Sequence, residues 1–255
     1  MAMQFNTWRN IARLFARTEY VMMLDVDFYL CTPRFREVLR RTITSTGISE
    51  VKEMFKSGMA AFVIPAFEYV KYNDGRDYQA FPNSKKDLIR LIKERKIRMF
   101  HDIWPPGHNS TNYDGYYAAK PGEVYRVTQF QSYYEPYTIF RKDGPPWTDR
   151  CDERFVGYGG NKAACIFEMY LSGMSFYVLS DHFIVHQNHL YEENARKSER
   201  KFNRKIYSEF KEETCLRYLR NFQELGILRA TRARNAIDEC GKMKGFSRLI
   251  TQANS

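Results

Sequence analysis

No stretch of this 255-residue chain reaches the ~18 uncharged apolar residues needed to cross a bilayer. Arg9, Arg13, Arg17, Glu19, Asp25 and Asp27 interrupt the region where a signal-peptide core would lie. The expectation is a soluble chain with no export address of its own. The cysteines Cys31, Cys151, Cys165, Cys215 and Cys240 form no Cys-x-x-Cys pair, which argues against a zinc knuckle and against a small disulfide scaffold. They are expected mostly as buried thiols, with one or two bridges open to them in an oxidising compartment. Internal repeats and low-complexity linkers are missing. So are a Gly-Lys-Ser/Thr motif and a complete dinucleotide fingerprint; Gly157, Gly159 and Gly160 resemble a phosphate cradle only loosely, and a P-loop is discounted.

What is present is a large apolar fraction and an excess of positive charge. At 44% hydrophobic and 16% aromatic, the chain can bury a sizeable core and is not disordered. A net charge of +10 favours anionic partners without choosing among nucleic acid, acidic lipid, acidic sugar and nucleotide phosphate. Periodicity predicts a helix over 6–17, with Trp8, Ile11, Leu14 and Phe15 on one stripe and arginines opposite. A second helix opens after Pro33 and runs to about Arg41, and Ala60 to Pro65 reads as a buried strand. Ser84 fits the N-cap of a basic helix over 85–96, and 104–137 reads as an ordered loop region with short strands. A helix over 162–171, a strand over 175–179 and, from about Ser198, a basic helical tail broken at Gly226 complete the pattern.

The chemistry begins at Asp25-Val26-Asp27, which closes the apolar run Tyr20-Val21-Met22-Met23-Leu24. On a strand, positions two apart share a face, so both carboxylates would project together while Val26 turns back into the packing. Such a pair suits Mg²⁺ or Mn²⁺, which commonly keeps open positions for substrate phosphates. Taken alone, a pair of acids beside a strand end is more often a turn or a helix cap. In Asp152-Glu153-Arg154-Phe155 the acids precede a glycine-rich turn and could supply a general base, or could simply cap that turn. In Phe183-Ile184-Val185-His186-Gln187-Asn188-His189 a histidine ends a second apolar run, in reach of a metal at a neighbouring strand end or as a structural group. Asn109-Ser110-Thr111 is a glycosylation sequon, meaningful only in the secretory pathway.

In their order along the chain these segments resemble the LARGE-type glycosyltransferases, glycosyltransferase family 49. The resemblance rests on Glu19 through Phe28, on Phe62-Val63-Ile64-Pro65-Ala66-Phe67-Glu68, and on Ile103 through Tyr113 with its Gly107-His108. It continues through Tyr134-Glu135-Pro136-Tyr137, then Asp152 to Phe155 with Gly157, Gly159, Asn161 and Lys162, and finally Phe183 to His186. It implies a GT-A type α/β fold, a mixed sheet flanked by helices, over residues 1–222, with 223–255 a basic tail that it does not assign. It implies metal-dependent, inverting transfer of glucuronic acid from UDP-glucuronic acid to a glycan or glycoprotein acceptor. Mn²⁺ is the implied cofactor, with Mg²⁺ the alternative. Residue by residue, Asp25 and Asp27 would bind the metal and diphosphate, with His186 as third ligand and His189, shared by only some members, ranked behind it. Asp152 would be the base, and Glu68, His108, Thr111 and Asn161 would line the sugar and acceptor pocket. The implied location is the Golgi lumen, held there through a membrane anchor that this chain does not carry.

Two departures from the family pattern stand out. The 24 residues ahead of Asp25 are too few for the nucleotide-binding βαβ units of a GT-A domain, at ~30 residues each, so the expectation is an N-terminally truncated domain. Tyr116-Tyr117 also replaces a tryptophan found in relatives. The alternatives are a catalytically inactive relative that binds glycan or nucleotide sugar, and a basic binding module built on Arg196, Lys197, Arg200, Lys201, Arg204 and Lys205. Nucleic-acid binding would leave the acid pair unexplained, so no nucleic-acid partner is expected.

Overall fold

The computed structural model describes residues 3–44, 49–145, 150–190 and 192–246. In chain order the main elements are α1 (Phe5–Phe15), β1 (Tyr20–Met23), β2 (Phe28–Leu30), α2 (Phe35–Thr44), α3 (Ser49–Lys56), β3 (Ala60–Ile64), β4 (Ala66–Tyr69), α4 (Lys85–Lys93) and β5 (Ile97–Met99). Then come α5 (Pro105–His108), α6 (Tyr113–Ala118), β6 (Val124–Arg126), β7 (Tyr137–Arg141), α7 (Asn161–Leu171), β8 (Ser175–Leu179), β9 (Ile184–His186), α8 (Glu193–Glu224) and α9 (Arg234–Cys240). They divide into two compact units. One holds the sheets, residues 20–141 and 176–191; the other is helical and comprises 1–19, 142–175 and 192–255.

The sheet unit carries a five-stranded sheet of order β1-β7-β3-β8-β6 and a four-stranded sheet of order β2-β9-β4-β5. β3, the apolar run Ala60-Ala61-Phe62-Val63-Ile64, is buried at every position because it is central and covered on both faces. β7 pairs antiparallel with both β1 and β3. In the smaller, mixed sheet, β9 runs antiparallel to β2 and parallel to β4. Ser84 caps α4 as expected, its Oγ accepting from the Asp87 backbone N–H at 3.1 Å. The stretch 104–137 differs from expectation: the short helices α5 and α6 interrupt it. Pro105 and Pro106 fit the first turn of α5, where no N–H is required, and the Asn112 side chain caps α6.

In the helical unit α7, buried along nearly its whole length, packs against α8 and α9. Phe155, Phe167, Tyr207 and Phe210 form an aromatic cluster with ring centroids 5.5 to 6.1 Å apart. The glycine-rich turn before α7 is bound by α8 rather than open as a phosphate cradle. Glu199 accepts from the Tyr158 N–H at 2.8 Å and Asn203 bonds Val156 in both directions. Gly157 has φ +71, which favours glycine, and a Cβ there would lie 2.2 Å from the Glu199 carboxyl carbon and push that carboxylate off the Tyr158 N–H.

One expectation is corrected in this unit. Cysteines expected mostly as buried thiols are paired as Cys151–Cys165 and Cys215–Cys240, leaving Cys31 as the one free, buried thiol. The second bridge ties α8, which runs through residue 222, to α9. The helix α1 forms where expected and makes its contacts through its polar side. Asn6 donates to the carbonyls of Asp152 and Asn161 at 2.7 and 3.1 Å, and Arg9 donates to Asn161 Oδ1 at 2.6 Å. Trp8, Ile11, Leu14 and Phe15 are exposed. No described helix is long and apolar enough to cross a membrane.

Candidate metal centre

The acid pair does not sit on a strand. β1 ends at Met23, and the chain then turns through Val26 and Asp27, closed by the Phe28 N–H donating to the Asp25 carbonyl at 3.2 Å, before entering β2. Val26, expected to pack inward by strand alternation, is fully exposed at 105% because it stands at the apex of that turn. The turn carries the chain from the five-stranded to the four-stranded sheet, and this places Asp27 beside β9.

β9 supplies the partners. Its last residue, His186, lies opposite Phe28 on β2 and alongside Glu68 on β4. The Gln187 N–H donates to the Asp27 carbonyl at 2.7 Å, which fixes the following loop against the turn. His186 Nε2 is 3.3 Å and His189 Nε2 is 2.9 Å from the same oxygen, Asp27 Oδ2. The three ligand atoms lie within 4.8 Å of one another.

The hydrogen bonds at the far side of each ring assign the tautomers. Asn188 directs its amide N–H groups to the carbonyls of Lys71 and Tyr72, so its Oδ1 faces His186 Nδ1, at 3.4 Å, as an acceptor. The Leu190 carbonyl likewise faces His189 Nδ1 at 3.0 Å. Both Nδ1 atoms therefore carry hydrogen, and in neutral imidazole the Nε2 lone pairs then point at an anionic oxygen. Two lone pairs aimed at a carboxylate require positive charge among them, either as ring protons or as a bound cation. Asp27 Oδ1 is buried without a partner among the described residues. Burial alone would raise the Asp27 carboxyl, but when Nε2 of His186 and His189 carries a proton their hydrogen bonds outweigh it and hold the group well below the ordinary carboxylate range. One carboxylate and two imidazoles, each ring oriented by an outer acceptor, form a donor set that fits a divalent transition ion.

The other sequence candidates are distributed as follows. Asp25 lies outside the Asp27, His186, His189 cluster, and its Oδ2 accepts from the Tyr137 hydroxyl at 3.0 Å. Burial, followed by the charge of Asp25, raises the Tyr137 phenol well above its usual value, so it remains a donor. His108 is buried, with its ring 6.3 Å from Tyr137 and 5.2 Å from Phe100; Phe100 in turn lies 5.1 Å from His186. Glu68 is paired with Arg98 at 2.9 Å, and its carboxyl is raised because burial outweighs that partner. Thr111 is buried and shares a 2.8 Å hydrogen bond with the Tyr134 hydroxyl. Asp152 and Asn161 belong to the helical unit. Asp152 is bonded to Arg154 at 2.7 Å, and Arg154 also reaches Glu213 at 2.7 Å. The Asn161 amide donates to the Gly157 carbonyl at 2.9 Å. Sequence reasoning ranks His189 second and gives no role to Asn188 or to the Tyr137 hydroxyl. A polar cluster of His, Asn and His directly after a buried strand is the signal that could have found them.

A family model described as "Glycosyl-transferase for dystroglycan" matches residues 1–219. The chain is 36% identical over 185 residues to the xylosyl- and glucuronyltransferase LARGE2 of Rattus norvegicus, covering 72% of this chain and 24% of that protein. It is 31% identical over 185 residues to LARGE1 of Homo sapiens, covering 72% of this chain and 22% of that protein. The chain thus spans about a quarter of the length of the curated relatives it matches.

Proposed function

Because the chain belongs to the family of glycosyl-transferases for dystroglycan, we propose that it serves metal-dependent transfer of glucuronic acid from UDP-glucuronic acid to a glycan acceptor, with inversion, in the Golgi lumen. The observation that carries this reading is the convergence of two imidazole Nε2 atoms on Asp27, with both Nδ1 atoms engaged elsewhere. Asp27, His186 and His189 would hold Mn²⁺, with Asp25 the second carboxylate of the pair. The ion, when bound, supplies charge that offsets the diphosphate of the departing UDP. Asn188 and the Leu190 carbonyl orient the two imidazoles, and Tyr137 orients Asp25.

Inverting transfer is a single displacement. The acceptor oxygen bonds to C1 of the sugar as the bond from C1 to UDP breaks, and the acceptor proton passes to a carboxylate. Asp152 is proposed for that proton. Glu68 and His108 are proposed to contact sugar hydroxyls. Thr111, bonded to the Tyr134 hydroxyl, is proposed to hold the segment that carries His108, and Asn161, bonded to the Gly157 carbonyl, the turn before α7.

The test is Mn²⁺ binding by calorimetry beside consumption of UDP-glucuronic acid by the same sample. Asp27→Asn and His189→Ala, which each remove a direct ligand, are expected to weaken Mn²⁺ by more than the about 10- to 100-fold that loss of an outer orienting partner costs and to abolish consumption; Asp152→Asn is expected to abolish consumption while Mn²⁺ still binds. Wild-type Mn²⁺ affinity in both ligand variants would remove the metal assignment. A second reading, a relative that binds nucleotide sugar without transferring it, is favoured by the Asp152–Arg154 pair, since both Asp152 carboxylate oxygens already accept hydrogen bonds from Arg154. Mn²⁺-dependent UDP binding with no turnover would select it.

A further inference from the structure

We propose that Asn109 carries an N-linked oligosaccharide. This rests on the lumenal location given above. Asn109-Ser110-Thr111 is the chain's only Asn-x-Ser/Thr triplet. Other asparagines are structural: Asn6, Asn161, Asn203 and Asn235 are buried with their amides bonded to backbone carbonyls. Asn109 is different. It is exposed at the start of the 3-10 turn Asn109–Thr111, and among the described residues its carboxamide makes no hydrogen bond. A glycan on Nδ2 would displace no hydrogen bond among the described residues.

The rest of the triplet determines when modification occurs. Ser110 is buried, and Thr111 is buried with its hydroxyl bonded to Tyr134. The hydroxyl that specifies the sequon is therefore unreadable once this turn has folded, so transfer precedes folding of this segment. The Asn109 amide nitrogen takes C1 of a polyprenyl-diphosphate-linked oligosaccharide, the bond from C1 to the diphosphate breaks, and one amide proton is lost; nothing is oxidised or reduced. Two cysteine pairs, Cys151–Cys165 and Cys215–Cys240, independently fit an oxidising, glycosylating compartment. The glycan would sit one residue beyond His108, on the segment that also exposes Ile103 and Trp104.

The experiment expresses the full chain in animal cells behind a supplied cleavable leader, and reads intact mass in the lumenal fraction before and after peptide N-glycosidase. A glycosidase-sensitive mass with aspartate left at position 109 is expected, lost in Asn109→Gln and retained in Thr111→Ser. Asn109→Gln should keep the melting temperature of the deglycosylated wild type, because no hydrogen bond is removed. A lumenal wild-type chain with no glycosidase-sensitive mass, or one whose sensitive mass survives in Asn109→Gln, overturns the assignment. A glycosylated chain that neither binds Mn²⁺ nor consumes UDP-glucuronic acid would sink the proposed function and leave this site standing.

Discussion

His182 links the fold to pH in a way that can be measured. It lies between β8 and β9, is fully buried, packs its ring edge-on at 4.7 Å from Phe35, and has no hydrogen-bond partner on either nitrogen among the described residues. Burial pushes its pKa down from 6.5 to about 4. The unfolded chain therefore takes up a proton through pH 6.5 while the folded chain resists until about pH 4. Stability from this group is fully present above pH 6.5 and is lost as pH falls through that window. The whole difference, at 1.36 kcal/mol per pH unit, amounts to about 3 kcal/mol, of which about 2 kcal/mol falls between pH 7 and pH 5. That is a large share of a typical 5–15 kcal/mol fold stability. The perturbation is His182→Leu, which removes the titrating ring and fills much of its volume. Urea unfolding of both proteins at pH 7 and pH 5 should show wild type losing about 2 kcal/mol more than the variant. Comparing the two losses cancels the other titrating groups, including Glu68, whose raised carboxyl acts in the opposite direction. Equal losses in the two proteins would refute the reasoning.

Two further tests concern stability. The Tyr116 ring is fully buried under Lys85 Nζ at 4.4 Å, but its hydroxyl has no partner among the described residues; Tyr116→Phe should therefore hold or raise stability, by up to about 1 kcal/mol, and a loss by calorimetry would show that the hydroxyl is satisfied. Cys215–Cys240 closes 25 residues, so replacing both cysteines by serine should cost about 3 kcal/mol in denaturant unfolding, and an unchanged midpoint would show that α9 docks without it.

Much of the fold is legible because the chain marks its own buried strands. Ala60 to Ile64 and Ser175 to Leu179 appear where their uninterrupted apolar runs put them, and Ser84 starts its helix where its hydroxyl can reach the Asp87 N–H. The reading is weaker where pattern alone does not specify a partner. The stripe of Trp8, Ile11, Leu14 and Phe15 correctly signals helical periodicity, yet the anchoring contacts come from Asn6 and Arg9 on the other side. Apolar residues recurring every three or four positions identify a helix but do not say which face docks. Cysteine spacing likewise could not select Cys151–Cys165 and Cys215–Cys240, because pairing depends on tertiary proximity.

The candidate site shows the same limit more sharply. Asp25-Val26-Asp27 reads as a metal clamp whether it lies on a strand or in a turn, but the two geometries assign different ligands. On a strand both acids share a face. In the observed turn, Asp27 is held by the Gln187 N–H against the β9 end, where His186 and His189 meet it, while Asp25 is engaged by Tyr137. The family pattern ranks His189 below His186, and strand alternation would not lift it, since residues three apart on a strand point in opposite directions. The loop reverses that: Asn188 is anchored to Lys71, Tyr72 and Gly75, and this brings the next residue back to Asp27. The third member of the cluster is thus set by backbone contacts with the 71–75 segment, which is more than a hundred residues away in sequence.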